Sequence, residues 1–416
     1  MTYIEFYDRL HLSNVCATID SPPERVILVG DNARLLASHA KRYSDIISAR
    51  SLDVKFEYRS VASNNLDSIV SLLSDIVSKR EDCVFDLTGG GEIYLLAAGI
   101  VLERHKDKSI KMCRYDLISS KLIKYDLFGN ILTERRAPKL SVEENIRLYG
   151  GEVICTSYSA DGAKEQKPDR ELTSDVLALW DICRVDVKAW NKQIAIFSSA
   201  ETKKIRKSSA LMTESDAYQI RRSFSMKESD DLFDHEIIDM LSERGLVLSY
   251  GIDGGVFRIR YKNAHVKKCL TNPGLVLENI IWLCAKKAKY KNGCHVYNDA
   301  KYSVRIDWDG DVSRRIGKYD TENEIDVIMM HGSMGVFVSC KNGSFGMDEL
   351  YKLHAVAHRF GGKYSKKVLV ATAVDSLGGQ AHHIRQRAAD MNIKLVEGAT
   401  ELSFDELTAV VKGFWK

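Results

Sequence analysis

Apolar residues in the first third of the chain follow two alternating patterns. Short, continuous apolar runs are typical of buried strands, and the stretches between them space their apolar residues as amphipathic helices do. The predicted strands are 3–7, 25–31, 54–61, 83–87 and 110–115, and the predicted helices are 12–19, 33–49, 66–77 and 93–104. Strands that alternate with helices of this length favour a mostly parallel, doubly wound sheet, so we expect an α/β fold.

Two of the predicted strand ends carry residues suited to an anionic ligand. In doubly wound sheets, ligands bind beyond the carboxyl ends of the strands. One such end is Gly30-Asp31-Asn32, and the other is the run 86–92, which has three consecutive glycines before a helix. Backbone N–H groups in such a loop can approach an anion, and Thr88 would add a hydroxyl. A tight strand-to-helix turn without a ligand explains the same glycines, and the loop has neither Walker nor Gly-x-Gly-x-x-Gly spacing.

The middle third of the chain does not continue this alternation. Its segment 159–171 is polar and typical of a linker, whereas 235–245 predicts a short helix and 246–261 a hairpin. A helix followed by a hairpin resembles the end of a winged-helix module, which in different proteins binds nucleic acid or packs domains together. We predict three domains: a sheet domain at 1–138, a helical and winged-helix-like connector at 139–268, and a second α/β domain at 269–416.

The candidate chemistry lies in an apolar hairpin at 323–342. Strand alternation places Glu324 and Asp326 on one face of its first strand. The same alternation places Ser339 and Lys341 on one face of its second strand. The hairpin therefore collects two carboxylates, a hydroxyl and an ammonium group on one patch.

The register of this hairpin decides which of these side chains meet. A turn at 331–334 pairs Met330 with Gly335 and sets Asp326 opposite Ser339. The second carboxylate of the first strand would in turn lie opposite the lysine. A shift of one residue in the turn would separate these groups, so the register is itself a prediction.

A third carboxylate, Glu278, lies on a predicted apolar helix at 274–285. A carboxylate buried on such a face is costly unless it has a partner. A divalent metal ion shared with Asp326 would be such a partner; it would lower the pKa of a bound water and hold a phosphodiester oxygen. Lys341 would then stabilise the charge that develops on the phosphate, or orient the water. A salt-bridged structural residue explains Glu278 equally well.

A further helix is predicted behind the hairpin at 348–357. In this position Glu349 and Lys352 would reach the site or its substrate. His354 and His358 have the spacing of metal ligands, but no glutamate lies between them, which favours ordinary helix packing.

These motifs together resemble a known family. The hairpin resembles the PD-(D/E)xK nuclease core, with Asp326 as the first acid and Ser339-Cys340-Lys341 in the place of (D/E)xK. The loop 86–92 on a Rossmann-like sheet resembles the CRISPR-associated Rossmann-fold (CARF) sensor domain. In this order, the two resemble the type III CRISPR ancillary endonucleases that cyclic oligoadenylate switches on. The resemblance implies a doubly wound CARF domain, a winged-helix-like connector and a restriction-endonuclease-like α/β domain.

The resemblance also implies an activity, ligands and partners. A homodimer would bind cyclic tetra-adenylate across its paired sensor domains, and its nuclease domains would then cleave RNA and/or DNA with Mn²⁺ or Mg²⁺. The implied signal-binding residues are Asp8, Leu12, Ser13, Asn14, Gly30, Asp31, Asn32, Thr88, Gly89, Gly90, Gly91 and Glu92. The implied catalytic residues are Asp326, Lys341, Glu278, Ser339 and Glu324, and the implied metal ligands are Glu278, Asp326 and the carbonyl of Cys340. Ser339 departs from the motif, which has an acid at that position, so the number of metal ions and the catalytic strength stay open.

Composition limits the expected surface charge, thiol state and location of the protein. The formal charge of +3 on 416 residues is too small to indicate nucleic-acid binding, so any electropositive surface must be local. The cluster 286–291 interleaves Tyr290 with lysines; it would suit a single strand beside the nuclease site, or be a solvated face. Nine scattered cysteines without a Cys-x-x-Cys pair favour reduced thiols. The longest apolar candidate, 93–102, is too short to span a membrane, so we expect a cytoplasmic protein without membrane contact.

The sequence thus leaves two functions open. The first is a signal-gated, metal-dependent endonuclease of type III CRISPR antiviral defence. The second is a cyclic-oligoadenylate-sensing regulator that binds nucleic acid through the winged segment and has a degenerate nuclease core. Ser339 and the basic clusters favour this second function.

Overall fold

The computed structural model describes residues 1–8, 14–116, 119–156, 168–203, 205, 210–310, 322–374 and 378–416. Within these ranges the chain forms sixteen β-strands and fourteen α-helices. The strands are β1 (Thr2–Phe6), β2 (Arg25–Gly30), β3 (Lys55–Ser60), β4 (Cys83–Asp86), β5 (Ile110–Asp116), β6 (Lys121–Tyr125), β7 (Ile131–Arg136), β8 (Glu152–Thr156), β9 (Met212–Asp216), β10 (Val247–Asp253), β11 (Val256–Tyr261), β12 (Asp299–Asp307), β13 (Glu322–His331), β14 (Met334–Lys341), β15 (Lys366–Ala371) and β16 (Ile393–Val396). The helices are α1 (Val15–Asp20), α2 (Ala33–Ala49), α3 (Leu66–Ser78), α4 (Glu92–Arg104), α5 (Val142–Leu148), α6 (Arg170–Cys183), α7 (Val187–Thr202), α8 (Ala217–Ser223), α9 (His235–Glu243), α10 (Ala264–Thr271), α11 (Leu275–Lys287), α12 (Asp348–Gly361), α13 (Gln380–Asp390) and α14 (Phe404–Val411).

The first sheet has seven strands in the order β3-β2-β1-β4-β5-β6-β7. Strands β1 to β5 run parallel to one another, with α1 and α2 packed on one face and α3 and α4 on the other. The predicted α/β fold is therefore confirmed. Strands β6 and β7 extend the sheet as an antiparallel hairpin that the sequence analysis missed. They were missed because β7 is mostly exposed and ends in four polar residues, while β6 is too short to show a clear pattern of its own.

The second sheet has six strands in the order β16-β15-β14-β13-β12-β8. Strands β13 and β14 form an antiparallel hairpin, whereas β14, β15 and β16 are parallel. Apolar residues of α11 cover one face of the hairpin and those of α12 cover the other. The strand β8 comes from the segment predicted as a connector and also pairs in this sheet. The predicted domain boundaries at 138 and 268 stay predictions.

A third, smaller sheet has the strand order β10-β11-β9. Helix α9 followed by the β10–β11 hairpin is the helix-and-hairpin arrangement that the sequence predicted. Strand β9 pairs with the outer side of β11 and was not predicted.

The turn of the β13–β14 hairpin lies against the first sheet. Its register pairs Met330 with Gly335, which confirms the predicted pairing next to the turn. The hydroxyl of Ser333 in the turn donates a hydrogen bond of 2.9 Å to the hydroxyl of Tyr115 on β5. The backbone N–H of Leu140 also donates to the carbonyl of Gly332. The two sheets therefore meet at the hairpin turn, and the polar end of the hairpin lies at the opposite end of its strands.

Among the described residues, helices that combine the length and apolar character needed to cross a membrane are absent. The eight cysteine side chains that the structure describes form no disulfide.

Candidate active site and ligand loops

Asp326 lies where the two strands of the hairpin separate. The β13–β14 pairs end at Val327 and Val338, beyond which β13 stays paired with β12 and β14 with β15. Across the resulting fork, the backbone N–H of Cys340 donates to Oδ2 of Asp326 over 2.6 Å, and the Ser339 hydroxyl donates to the same oxygen over 3.2 Å. The fork thus orients the carboxylate through one oxygen. The other oxygen, Oδ1, makes no hydrogen bond with a described residue.

Lys341 reaches the same fork from β14. Its Nζ lies 2.7 Å from Oε2 of Glu349 on α12 and 3.9 Å from Oδ2 of Asp326. Burial by itself would lower the pKa of Lys341, but these two carboxylates outweigh it and raise the pKa above its ordinary value. The side chain is therefore a fixed cation at neutral pH.

Glu278 approaches the fork from α11. Its Oε2 atom is buried and has no hydrogen-bond partner among the described residues. Burial raises the pKa of this carboxyl well above its ordinary value; Asp326 and Glu324 add to the rise, and Lys341 opposes it. Burial also raises the pKa of Asp326, against the opposing effects of Lys341 and the two hydrogen bonds. The carboxylates therefore repel one another in surroundings that solvate charge poorly.

These groups line one open cavity of about 510 Å³. Its lining includes Glu278, Glu324, Asp326, Cys340 and Lys341. A smaller cavity of about 210 Å³ on the α12 side shares three of these residues and adds Ser339 and Glu349. The structure thus brings all five predicted catalytic residues to the fork, together with Glu349.

Glu324 does not lie opposite Lys341, and that part of the predicted register is wrong. Its backbone pairs with Arg305 on β12, and its carboxylate accepts a hydrogen bond of 2.6 Å from the Ser303 hydroxyl. The reason is that the strands have already separated at Asp326. Glu324 still lines the same cavity as the lysine, on its more open side.

The donor atoms at the fork suit a hard divalent cation. Carboxylate and carbonyl oxygens are the ligands that Mg²⁺ and Mn²⁺ prefer. Oε2 of Glu278 and Oδ1 of Asp326 are two such oxygens that accept no hydrogen bond from the residues that the structure describes. Within the described ranges, no group of three or more His, Cys, Asp or Glu side chains could hold a metal ion on its own. An ion held by these two carboxylates would therefore also need backbone, water or substrate oxygens, for which the carbonyl of Cys340 is the predicted protein ligand.

The predicted signal residues lie on three neighbouring loops of the first sheet. Strands β2, β1 and β4 are adjacent and parallel, so their carboxyl ends lie at the same edge. Asp8 follows β1, 30–32 end β2, and 88–92 lead from β4 into α4. The structure therefore brings these segments together at one edge, while Leu12 and Ser13 lie outside the described residues.

Asn14 differs from the other described signal residues because its side chain is buried. Only 2% of the residue is exposed, and its amide donates a hydrogen bond of 2.9 Å to Oε2 of Glu5. In this structure Asn14 therefore holds the start of α1 against β1 and does not present its side chain at the loop surface.

The loop 86–92 is held close to the sheet. Gly90 has φ +98°, and a Cβ added there would overlap Cβ of Phe6 on β1. The backbone N–H of Thr88 donates to the Asp86 carboxylate over 2.8 Å, and the Thr88 hydroxyl accepts from the N–H of Tyr115 over 2.9 Å. Helix α4 begins after Gly91, which provides no side-chain cap, so its first N–H groups have no side-chain acceptor. An anion at this edge would supply one.

A buried carboxyl pair underlies the same loops. Glu5 on β1 and Asp86 on β4 occupy paired positions, and both are fully buried. Burial raises the pKa of Glu5 well above its ordinary value, and Asp86 adds to the rise. Burial also raises the pKa of Asp86 to about 7, although hydrogen bonds from Thr88 oppose the rise. The pair therefore retains a proton at neutral pH, which limits its repulsion of an anion at this edge.

One expected neighbour of the fork lies elsewhere. The cluster 286–291 was expected beside the site, but the ring of Tyr290 lies 6.4 Å from that of His331, at the turn end of the hairpin. That expectation is wrong because α11 crosses the sheet, so Glu278 near its start and Tyr290 beyond its end reach opposite ends of the hairpin.

Comparison with known proteins supports this fold over the full chain. No protein-family model and no curated protein matches the sequence. The structure matches that of protein VC1899 from Vibrio cholerae with a TM-score of 0.71 and 16% identity, over 99% of this chain and 97% of that chain. It also matches Can2 from Sulfobacillus thermosulfidooxidans in complex with cyclic tetra-adenylate (cA4), with a TM-score of 0.64 and 16% identity over 99% of both chains. The chain therefore has the α/β fold of these two proteins, as the resemblance in its motifs predicted.

Proposed function

We propose that this chain is a metal-dependent nuclease that cyclic tetra-adenylate switches on in type III CRISPR defence. The observation that carries the proposal is the fork, where Glu278, Asp326 and Lys341 line one cavity. The three loops at the edge of the first sheet support a nucleotide activator, and so does the fold shared with Can2, whose structure contains cA4. A homodimer, an RNA or DNA substrate and a cytoplasmic location belong to the same proposal.

The residues of the fork have distinct parts in this proposal. Glu278 and Asp326 would hold a divalent cation, which acts as a Lewis acid on a phosphoryl oxygen when bound. Lys341 stabilises the negative charge that develops on the scissile phosphate. Glu349 keeps this lysine charged and close to the fork, and the Ser339 hydroxyl fixes the orientation of Asp326.

The first experiment is a cleavage assay on labelled single-stranded RNA, single-stranded DNA and supercoiled plasmid. Each substrate is incubated with Mn²⁺, with and without cA4. We expect cutting only when both are present, because the site needs the cation and the proposed gate needs the activator. The substrate that is cut assigns the substrate class. An absence of cutting on all three substrates, with cA4 still bound, would contradict the nuclease.

Removal of Glu278 tests the cation separately from cleavage. We expect Mn²⁺ to raise the Tm of the wild-type protein and to raise that of Glu278→Gln much less, because glutamine lacks the charge that attracts the ion. An ion that binds only the folded state stabilises it by about 2.7 kcal/mol at 100 times its Kd. Differential scanning fluorimetry measures both shifts. The exposed Glu103, changed in Glu103→Gln, provides the matched control and should keep the full wild-type increase. Equal increases in the two variants would argue against Glu278 as a ligand.

One observation favours the regulator as a second candidate. Ser339 occupies the place of the second acid of the motif, and its hydroxyl serves as a hydrogen-bond donor to Asp326. Because a serine replaces this acid, the fork has one carboxylate fewer than the motif, which would weaken cation binding. In that case cA4 would change nucleic-acid binding without any metal-dependent cutting, which the same assay and a binding measurement distinguish.

A further inference from the structure

Two cavities share Trp415 at the turn end of the β13–β14 hairpin. The first, of about 450 Å³, lies between the β6–β7 hairpin and the loop that contains Tyr290. The second, of about 900 Å³, is lined by residues that flank β15 and β16. His331 lines the first cavity and Met334 the second, so the hairpin turn contributes to both. We call the two cavities together the turn groove.

The turn groove concentrates positive charge in a chain whose formal charge is only +3. The cations of the first cavity are Lys121, Arg135, Arg136 and Lys139, and those of the second are Lys363, Lys366, Lys367, Lys394 and Lys416. Among the described lining residues of both cavities, Glu134 has the one acidic side chain, and it is ion-paired with Lys121. Arg135, Arg136 and Lys139 form no ion pair with any residue in the described ranges. Their charge is therefore available to an anionic ligand.

Aromatic rings lie beside these cations. The imidazole of His331 stacks on the indole of Trp415, with ring centroids 4.1 Å apart and an angle of 16° between the planes. The Tyr290 ring packs edge-on against the same imidazole. Burial lowers the pKa of His331, and the nearby Arg136 and Lys139 lower it further. The stack is therefore uncharged at neutral pH and can contact a flat, apolar surface.

We propose that the turn groove binds single-stranded nucleic acid. Arg135, Arg136 and Lys139 would contact phosphates, while unstacked bases would contact the rings of Tyr290 and Trp415. A strand suits the groove better than a free nucleotide because the cations extend through both cavities. It also suits the groove better than a duplex, whose bases are stacked inside the helix and cannot reach the rings. The groove lies about 16 Å from Asp326, at about 3.3 Å per residue of β13. Binding there needs neither a metal ion nor an activator, so the groove is a site beyond the proposed function.

Binding is measured with the full chain in EDTA, without cA4, by fluorescence anisotropy of labelled dT₁₂ and U₁₂. These homopolymers contain no adenine, which limits binding at the candidate signal loops. We expect both strands to bind and their affinity to fall as salt increases, because phosphate contacts release counterions. The double variant Arg136→Ala/Lys139→Ala should lose about tenfold or more in affinity at fixed salt. The matched control Lys41→Ala/Lys227→Ala removes the same charge from exposed residues elsewhere and should lose less than about twofold.

The aromatic contact is tested with Tyr290→Leu, which should lower the affinity by about fivefold through loss of base stacking. A labelled duplex of equal length and free UMP should both bind more weakly than the strand.

Equal losses in the basic double variant and its control would overturn the proposal, and so would tight duplex binding that Tyr290→Leu does not change. Lys41, Arg136, Lys139 and Lys227 are exposed and Tyr290 is half-buried, so each variant should fold, and a Tm near that of the wild type is the check. Strand binding in this assay, together with no cutting in the assay with Mn²⁺ and cA4, would refute the nuclease and leave the groove. Cutting in the assay with Mn²⁺ and cA4, together with unaltered strand binding in the variants, would refute the groove alone.

Discussion

We expect Asp326→Asn to abolish the proposed metal-dependent cleavage, with a loss on the order of 1,000-fold in rate. Asparagine has the same shape and can still accept the hydrogen bonds from Cys340 and Ser339 through its carbonyl oxygen. The fork should therefore keep its geometry. What the variant loses is the negative charge that attracts the cation and that balances Lys341 at 3.9 Å. Single-turnover cleavage with Mn²⁺ and cA4 measures the effect.

The matched control for this variant is Asp348→Asn. Asp348 lies on the first turn of α12, close to the fork, but its carboxylate is exposed and pairs with Lys352 over 3.3 Å. The same chemical change there should leave cleavage within about twofold of wild type, because exposed ion pairs contribute little. Cleavage at the wild-type rate by Asp326→Asn would contradict the proposal that the fork is the cleavage site. Equal losses in both variants would indicate a general effect of charge on substrate binding.

The hairpin shows why part of the site could be predicted from sequence. Strand alternation has a period of two residues, and the turn sets the register, so the pairing of Met330 with Gly335 follows from local pattern alone. The separation of the strands at Asp326 does not follow from local pattern. It depends on β14 pairing with β15, whose residues come later in the chain. For that reason the predicted pairing of Glu324 with Lys341 is wrong, and the Glu324 carboxylate accepts a hydrogen bond from Ser303 instead.

Contacts between distant segments account for the other differences. Glu278 stood out in the sequence as a carboxylate on an apolar helix, and burial of its Oε2 atom at the fork is consistent with that anomaly. The β6–β7 hairpin had no such signal. Its Arg136 becomes part of a candidate site only through its closeness to Tyr290 and His331, which lie far away in the sequence. No periodicity in the chain links positions so far apart. The turn groove therefore depends on the packing of the two sheets, which the sequence pattern does not predict.

We expect Gly90→Ala to weaken the proposed cA4 binding by about tenfold or more, because the loop 86–92 cannot keep its conformation with a side chain at this position. The φ of +98° is strained for alanine, at a cost on the order of 1–3 kcal/mol. The added Cβ would also overlap Phe6, which is fully buried and stacks on Phe85 and Tyr94. Since Phe6 cannot move easily, the loop must move away from β1. Isothermal titration with cA4 measures the loss, and circular dichroism checks that the sheet remains folded.

Gly91→Ala separates the effect of this position from that of glycine loss in general. Gly91 has φ −69°, and an added Cβ would have only the Tyr94 ring as a neighbour, at 4.0 Å. Alanine fits there, so cA4 should bind within about threefold of wild type, a difference below 1 kcal/mol. If Gly90→Ala is folded and binds cA4 as tightly as Gly91→Ala, the close approach of this loop to β1 is not needed for the activator. The candidate signal site would then consist of the loops after β1 and β2, at Asp8 and at 30–32, and the N-terminus of α4 would not be part of it.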